Sequence, residues 1–246
     1  MANCCLITTY ILICIFTFTT TIIGIAVMAK NNCTAILQTP FIVVDSGILI
    51  LSLVFLICSA YDNCKRFAKF GLTLMILFTV GFLVLIFYNM SIMSHGKGVY
   101  LPDRRYDEYQ LHKYSKPFQK MIENSNTWNQ IEKCLKRRNA CKRLTRKKAN
   151  NTLMEFYTKP LTPIESGCCK PSYYCNFTYV SPTNWTSTVN SSLTNPDCQT
   201  WNNDPNTLCF NCKACKAGVL QDFKHHWKKI FVPIQSLVSI GNSPFS

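Results

Sequence analysis

Three cysteines near the end of the chain, Cys209, Cys212 and Cys215, have the C-x2-C-x2-C spacing of thiolate metal sites and redox sites. Such chemistry needs reduced thiols. Six further cysteines lie upstream: Cys134, Cys141, Cys168, Cys169, Cys175 and Cys198. So many cysteines in one short segment are typical of disulfide bonding in an oxidising compartment. We therefore treat all nine cysteines as candidates for disulfide bonds. We predict that they form neither a metal site nor a redox site.

Two of these cysteines are adjacent, in the run Gly167-Cys168-Cys169-Lys170-Pro171. Neighbouring cysteines do not bond to each other easily, because the short peptide link resists disulfide geometry. Each is expected to bond elsewhere, which ties several loops to one point. Nine is an odd number, so one thiol is expected to remain unpaired or to pair outside this segment; Cys33 is one candidate.

No other arrangement in the sequence resembles a catalytic site. We find no Ser/His/Asp set, no paired carboxylates and no glycine-rich phosphate loop. His225 and His226 lack further ligands at metal-site spacing. The sequence predicts that the protein is not an enzyme and needs no cofactor.

The elements that must position the cysteines fall into two parts of different composition. The net charge is +14, from 26 Lys and Arg against 12 Asp and Glu. Residues 1–95 carry few charges and long apolar runs, whereas residues 97–230 carry most of the charge and the nine cysteines. The chain is therefore expected to divide near Ser94.

Three apolar runs in the first part are long enough to cross a bilayer, which takes about 20 residues of helix. We predict transmembrane helices at residues 6–29, 40–60 and 70–93. The second run contains Asp45, about one turn inside, and we expect this carboxylate to reach the membrane interface. Residues 230–246 hold some apolar side chains and Pro233 but are too short for a fourth span, and are interpreted as an atypical tail.

Loop charges predict the orientation of these helices. The short loop 61–69 contains Lys65, Arg66 and Lys69, so the positive-inside rule places it in the cytosol together with residues 1–5. Loop 30–39 and the large loop 94–229 are then extracellular, since long loops cross the membrane largely regardless of charge.

Modification sites are predicted on both sides. Sequons in the outer loops make five asparagines candidates for N-glycosylation: Asn32, Asn150, Asn176, Asn184 and Asn190. Three juxtamembrane cysteines are candidates for palmitoylation, Cys4, Cys5 and Cys64. Cys58 is expected to pack as a small apolar residue.

The large loop is expected to begin with amphipathic helices over residues 103–160. Trp128, Ile131 and Leu135 recur on one helical face. Cys134 and Cys141 are seven residues apart, about 10 Å along a helix, so each needs a distant partner unless the helix breaks between them. Residues 160–215 hold six prolines and are expected to be loop-rich and held together by disulfides.

Nine basic residues lie between positions 133 and 148: Lys133, Lys136, Arg137, Arg138, Lys142, Arg143, Arg146, Lys147 and Lys148. The predicted extracellular location argues against nucleic acid as a partner. Two interpretations remain, a solvated helix face or attraction for acidic partners such as anionic polysaccharide or lipid headgroups.

Several motifs resemble the large extracellular loop of plant tetraspanins. They are the run at 167–171 followed by Cys175-Asn176-Phe177, the run Asn195-Pro196-Asp197-Cys198, residues 208–218 with their three cysteines, and the upstream runs 106–111 and 128–135. The similarity covers residues 1 to about 229. It implies an α-helical multi-pass membrane protein, a transmembrane helix bundle with a disulfide-rich, partly helical extracellular loop.

The resemblance also implies a function and partners. Such proteins organise other membrane proteins, tetraspanins included, into microdomains of the bilayer as homo- or hetero-oligomers, and plant members are linked to differentiation, development and senescence. A location in the plasma membrane is expected. The alternatives are a cell-surface receptor for a soluble ligand and, more remotely, an extracellular redox enzyme or metalloenzyme.

Two details of the resemblance can be tested against a structure. It implies that Cys168 and Cys169 bond to different members of the set from Cys175 to Cys215, and that Cys134 bonds to Cys141. The family also has a fourth span after Lys229, which we do not find in this sequence.

Overall fold

The computed structural model describes residues 2–29, 33–60, 70–81, 83–84, 96–146, 152–187 and 195–241. The chain forms two compact units, Met1–Ile92 and Met93–Ser246. The division lies close to the change in composition near Ser94.

The first unit consists of apolar helices. Helix α1 spans Ala2–Ala29 and α2 spans Thr39–Ala60, after a 3-10 helix at Cys33–Gln38. Helix α3 covers Phe70–Gly81. One segment, Ile7–Ala26, is both long and apolar enough to cross a membrane, while the apolar stretches described in the other two helices, Ile42–Cys58 and Phe70–Gly81, are shorter. The full extents given above for three transmembrane helices remain predictions.

Polar side chains join α1 to α2. Thr20 and Thr21 of α1 each donate a hydrogen bond to the same carboxylate oxygen of Asp45, Oδ2, and both distances are 2.8 Å. Two turns away, Cys14 Sγ and Ser52 Oγ lie 3.1 Å apart. Helices α1 and α2 are therefore antiparallel, because Cys14, which comes earlier in α1, meets Ser52, which comes later in α2.

The position of Asp45 corrects our expectation from the sequence. The side chain does not extend outward to an interface; it is buried against α1, with 6% of its surface exposed. A carboxylate is costly among apolar helices unless it is hydrogen-bonded, and the two threonines donate both of their bonds to Oδ2. The signal was present in the sequence as Thr20 and Thr21 within the neighbouring apolar run.

An apolar cluster completes the packing of the three helices. Tyr10, Ile48 and Met75 are buried, one from each helix, and Cys58 packs against them as expected. The rings of Tyr10 and Phe55 stack with centroids 6.2 Å apart. The three helices therefore share one core.

The opposite faces of these helices carry large apolar side chains that the protein does not cover. Leu12 is 62% exposed, Val43 64% and Leu77 64%. An exposed apolar surface of this extent is unfavourable in water and favourable in hydrocarbon. The surface of this unit fits a lipid environment.

We predict that Asp45 stabilises the pairing of α1 and α2. Replacing Asp45→Ala removes the acceptor of two interhelical hydrogen bonds, and such bonds contribute roughly 0.6–1.7 kcal/mol within a membrane. The free energy of unfolding of the full chain in bicelles should fall by roughly 1–3 kcal/mol, since two such bonds are lost. Asp45→Asn, which keeps an acceptor, should change it less. Ser46→Ala is the matched control, because Ser46 donates only within its own helix, to Ile42 O. An Asp45→Ala chain as stable as the control would contradict the prediction.

The second unit is a set of short helices and one hairpin. Its first helices are α4 at Lys116–Glu123, α5 at Ser125–Arg137 and α6 at Lys142–Arg146. Then follow α7 at Leu153–Tyr157, α8 at Pro163–Cys168, strands β1 at Thr178–Ser181 and β2 at Asn184–Thr186, α9 at Pro196–Thr200 and α10 at Lys213–Gly241. Single 3-10 turns occur at Leu111–Lys113 and Tyr173–Cys175.

Local sequence signals explain where several helices begin. Asn124 accepts hydrogen bonds from the backbone of Asn126 and Thr127 at the start of α5. Thr152 and Thr162 each form a capping box with the glutamate three residues later. Side chains that satisfy the first N–H groups of a helix stabilise its start. Such caps let helices of five or six residues form at defined positions.

The structure of α5 confirms the prediction that one side of this helix is apolar and buried. Trp128, Ile131 and Leu135 are buried. The helix ends before Asn139, which has the left-handed backbone conformation (φ 50°). The helix therefore breaks between Cys134 and Cys141, and the sequence had left this possibility open.

The hairpin packs on α7 through aromatic rings. Strands β1 and β2 are antiparallel, with Tyr179 opposite Trp185. Both rings contact the fully buried Phe156 of α7, with centroid distances of 5.4 and 5.9 Å. Aromatic pairs at these distances add to the stability gained by burial.

Helix α10 extends further than the sequence indicated. It continues through residues 230–241, where we had expected only a short apolar stretch and then a polar tail. The side chains from Lys229 onward, and residues 242–246, lie outside the described part of the chain. The interpretation of residues 230–246 as a tail in place of a fourth span stays a prediction.

Candidate functional site

The site is the cysteine-rich part of the second unit, and its centre is the contact between α8 and α10. The two backbones approach so closely that a Cβ on Gly167 would lie less than 3.0 Å from Ala214 O. A Cβ on Gly218 would lie equally close to Pro163 O. Only glycine fits at either position. The sequence shows both glycines but not their contact.

Disulfides hold this contact in place. Cys168 of α8 bonds to Cys215 of α10, with Cα atoms 4.3 Å apart. Cys169 bonds in another direction, to Cys141 after α5. The adjacent pair thus links three segments that are far apart in sequence, as their spacing led us to expect.

Two further disulfides close the surrounding loops. Cys175 bonds to Cys198 across 23 residues, and Cys209 bonds to Cys212 across three. The ninth cysteine, Cys134, is disulfide-bonded as well.

The pairing implied by the family resemblance is wrong in two respects. Cys134 does not bond to Cys141, although the helix breaks between them. Cys169 takes Cys141 as its partner, which lies outside the set from Cys175 to Cys215. The physical reason is tertiary: the turn after α5 packs beside the end of α8, with the Cα atoms of Cys141 and Cys169 5.4 Å apart.

The C-x2-C-x2-C motif is oxidised in this arrangement. Cys209 and Cys212 bond to each other, and Cys215 bonds to Cys168. Disulfide sulfurs are not thiolate ligands. Within the described ranges, no group of three or more His, Cys, Asp or Glu side chains is placed to hold a metal ion.

A carboxylate begins the long helix of the site. Asp197 accepts hydrogen bonds from the backbone N–H groups of Lys213 at 2.7 Å and Ala214 at 2.8 Å. A carboxylate there satisfies N–H groups that the helix cannot pair and interacts favourably with the helix dipole. Asp197 is one residue before Cys198, so this cap connects the Cys175–Cys198 loop to α10.

A buried ion pair lies on the other side of α8. Lys170 Nζ contacts Glu108 Oε1, and both side chains are at most 3% exposed. Arg104 also pairs with Glu108, at 3.2 Å, and its guanidinium lies 4.1 Å from the ring centroid of Tyr157. Burial lowers the pKa of the Lys170 ammonium, and the Glu108 carboxylate opposes that effect. Glu108 and Lys170 belong to the sequence runs 106–111 and 167–171, but the sequence did not predict that their side chains form an ion pair.

The structure places only some of the predicted modification sites. Asn176 lies two residues before β1, Asn184 is the first residue of β2, and both are exposed. Asn32, Asn150 and Asn190 lie outside the described residues, as does Cys64. Cys4 and Cys5 are in α1, and their side chains are also outside the described part. All these sites remain predictions.

One shallow groove of about 190 Å³ opens on this unit. It is lined by polar and aromatic side chains that include Tyr109, Gln119, Glu123, Tyr174 and Lys213. Ligand pockets usually measure roughly 300–1,000 Å³. The groove is small for a dedicated small-molecule site.

Three tyrosines are buried around the start of this unit. Burial raises the pKa of Tyr106, Tyr109 and Tyr114 above the usual range of the phenol. Nearby carboxylates, Asp107 and Glu108, add to the shift of Tyr109. The Tyr114 hydroxyl hydrogen-bonds with Gln221 Oε1 of α10 at 3.1 Å. The folded unit therefore favours neutral tyrosines.

We predict that replacing Gly218→Ala destabilises the second unit. The added methyl group meets a backbone carbonyl that cannot rotate away, and overpacking of this kind costs about 1–3 kcal/mol. The thermal midpoint of the full chain should fall. Gly47→Ala is the control, since it is also a helical glycine and its Cβ would meet no atom within 4 Å. Equal midpoints for both variants would show that α8 and α10 are not in close contact.

We also predict that the second unit loses stability as the pH rises above about 10, the pKa of a tyrosine in the unfolded chain. Above that pH the unfolded tyrosines release their protons while the buried ones keep theirs, so unfolding is favoured. The thermal midpoint should fall between pH 9 and 11 as tyrosinate absorbance appears. Tyr109→Phe should flatten this dependence, whereas Tyr100→Phe, at a residue 71% exposed, should not. An unchanged slope in Tyr109→Phe would refute the assignment.

Comparisons with known proteins identify the family of this chain. The model of the tetraspanin family matches residues 2–241. Tetraspanin-8 of Arabidopsis thaliana is 36% identical over 208 residues, which cover 82% of this chain and 74% of that protein. Tetraspanin-7 is 37% identical over 204 residues, with 82% and 76% coverage. Protein TORNADO 2, from the same plant, is 35% identical over 208 residues, with 84% and 76% coverage.

No solved structure matches the chain significantly. The family match extends over both units, from the first apolar helix to the last residue of α10. This chain belongs to the tetraspanin family, whose members are multi-pass helical membrane proteins that associate with other membrane proteins in microdomains.

Proposed function

We propose that this protein organises partner proteins in the plasma membrane, and that it does so through the second unit, exposed on the outer side of the cell. The observation that supports this most directly is the oxidised state of its cysteines. Eight of them form four disulfides within this unit. Disulfides of this kind persist in oxidising compartments and are rare in the cytosol.

The proposed orientation follows from the loop charges. Residues 1–5 and 61–69 are cytosolic, residues 30–39 and 94–229 are extracellular, and the spans at 6–29, 40–60 and 70–93 lie between them. Asn176 and Asn184 carry glycans in this arrangement, as do Asn32, Asn150 and Asn190. Cys4, Cys5 and Cys64 are palmitoylated, which favours lateral clustering.

The partners in this proposal are other membrane proteins, including further tetraspanins. The second unit is held rigid by its disulfides and ion pairs, and a rigid surface loses less entropy on binding. A role in cell differentiation, development or senescence is part of the proposal, since plant tetraspanins have been linked to these processes.

A receptor for a soluble ligand is the second candidate function, and the groove beside Tyr109 and Tyr174 is the observation in its favour. The volume of about 190 Å³ is below the usual range for ligand pockets. We therefore prefer the proposal that the protein organises membrane proteins.

The first test is the side of the membrane on which the second unit lies. Digestion with a glycosidase should increase the mobility of the membrane-expressed chain, and Asn176→Gln and Asn184→Gln should each remove one step of that shift. Asn129→Gln is the control, because Asn129 is exposed but is not in a sequon. The unreduced chain should also migrate faster than the reduced one. A chain with no glycan and no effect of reductant would place this unit in the cytosol and overturn the proposal.

The second test asks whether the protein stays bound to other membrane proteins after it is extracted from the membrane. Two differently tagged copies, solubilised together in digitonin, should purify with each other and with further membrane proteins, and should separate in a harsh detergent. Purification of single copies without membrane partners, together with retention of a soluble ligand, would favour the receptor instead.

A further inference from the structure

One face of the second unit is strongly basic and has no assigned role. Residues 133–148 contain nine Lys and Arg and no Asp or Glu. The run covers the second half of α5, the turn after it and α6. Its charge is therefore concentrated on one side of a short segment.

Lys136 and Arg143, two of these bases, pair with glutamates of the unit while their side chains stay 40% and 50% exposed. Lys136 Nζ pairs with Glu132 Oε1 at 2.7 Å, one turn earlier in α5. Arg143 pairs with Glu165 of α8 and donates to Pro160 O at 3.2 Å. The Arg143 contacts hold α6 against α8 and the residues before it, whereas the Lys136 pair lies within α5.

Three other bases point outward, and together we call them the basic face: Lys133, Arg137 and Arg138. All three are exposed. Lys133 and Arg137 lie on the side of α5 opposite its buried face, which carries Trp128, Ile131 and Leu135, and Arg138 follows at the C-cap. Among the described residues, the ion pairs formed by acidic side chains do not involve the basic face.

Several acidic side chains of this unit are engaged in other contacts, and Glu132, beside Lys133 in α5, pairs with Lys136. Glu108 binds Lys170 and Arg104 in the interior, and Glu165 binds Arg143. Asp197 caps α10. The internal pairs thus leave the positive charge of the basic face directed at the solvent.

The basic face is also held in one arrangement. Arg138 N–H donates to Cys134 O at 3.0 Å, and Ala140 N–H to Leu135 O at 3.1 Å. The Cys141–Cys169 disulfide fixes the following turn to α8. Arg137 Nε donates to Lys133 O at 3.3 Å, so its guanidinium lies along the helix. A fixed backbone and a held Arg137 side chain lose less entropy when an anion binds.

We propose that the basic face binds an acidic polysaccharide, a chain of sugars that carries carboxylates. The inference rests on the proposed extracellular position of this unit. The two arginines suit carboxylates because a guanidinium donates two parallel hydrogen bonds to one carboxylate, and Lys133 adds a point charge. A flexible polyanion can place successive carboxylates along the exposed side of α5.

Two other polyanions fit the face less well. A bilayer surface would require apolar side chains that enter the headgroup region, but the apolar side of α5 is buried in the unit. Single-stranded nucleic acid would require exposed aromatic rings for stacking. Between residues 124 and 144, all of them described, no large apolar or aromatic side chain is exposed.

A purely structural explanation also exists. Cations near the end of a helix interact favourably with the helix dipole. In that case, neutralising the basic face would lower stability and leave polysaccharide binding unchanged. The two explanations therefore predict different measurements.

The test uses the full chain in nanodiscs of zwitterionic lipid. Binding of polygalacturonate should be measurable at low salt and should weaken at 0.5 M salt, because exposed charges are then screened. The variant Lys133→Gln/Arg137→Gln/Arg138→Gln should bind at least about tenfold more weakly, since three charge-assisted contacts are lost. Lys113→Gln/Lys116→Gln/Lys120→Gln is the matched control, because it removes the same charge from exposed positions on and beside α4. Its affinity should stay within about twofold of the unmodified chain.

Several results would overturn the proposal. An equal loss in both triple variants would mean that net charge alone attracts the polymer. Equal binding of fully methyl-esterified polygalacturonate would exclude carboxylates as the recognised group, and preferred binding of phosphatidylserine vesicles would identify a membrane surface instead.

A thermal midpoint and an unreduced mobility like those of the unmodified chain would show that the variant is folded. Failure of the proposed orientation is detected separately by the glycosidase experiment, since binding in nanodiscs does not depend on it.

Discussion

The second unit depends on one close contact, the approach of α8 to α10. Gly167 and Gly218 allow the two backbones to touch, and the Cys168–Cys215 disulfide holds them there. The next residue, Cys169, connects the same point to the turn after α5. Apart from α10, the helices of this unit are short and have few long apolar faces to bury. Crosslinks at one position therefore fix elements that packing alone would leave loosely attached.

Charge burial follows from this arrangement. Lys170 comes directly after the two cysteines and is carried into the interior, where Glu108 and Arg104 surround it. Removing one partner of a buried pair is far more costly than the pair is worth, so these residues act as a unit. Glu165 is likewise engaged by Arg143, and the exposed Lys133, Arg137 and Arg138 add positive charge to α5 and its C-cap.

The first unit meets a different constraint, because its apolar side chains are exposed on the outer faces of the helices. Apolar burial contributes little to helix association in a membrane, so polar contacts and close packing carry more of it. Asp45 with Thr20 and Thr21 provides the polar contact between α1 and α2, and Tyr10 with Met75 provides packing that includes α3. Disulfides in the second unit and interhelical hydrogen bonds in the first have the same effect: each fixes one helix against its neighbour.

The sequence alone determined the class of the protein. Apolar runs, clustered cysteines and the buried face of α5 depend on composition and on the helical period, which are local properties. The partners of side chains were decided by the tertiary structure. The Cys141–Cys169 bond, the burial of Asp45 and the contact of Gly218 with Pro163 each join segments from separate helices. Spacing along one helix does not encode which element packs against another, because that choice depends on the packing of the whole unit.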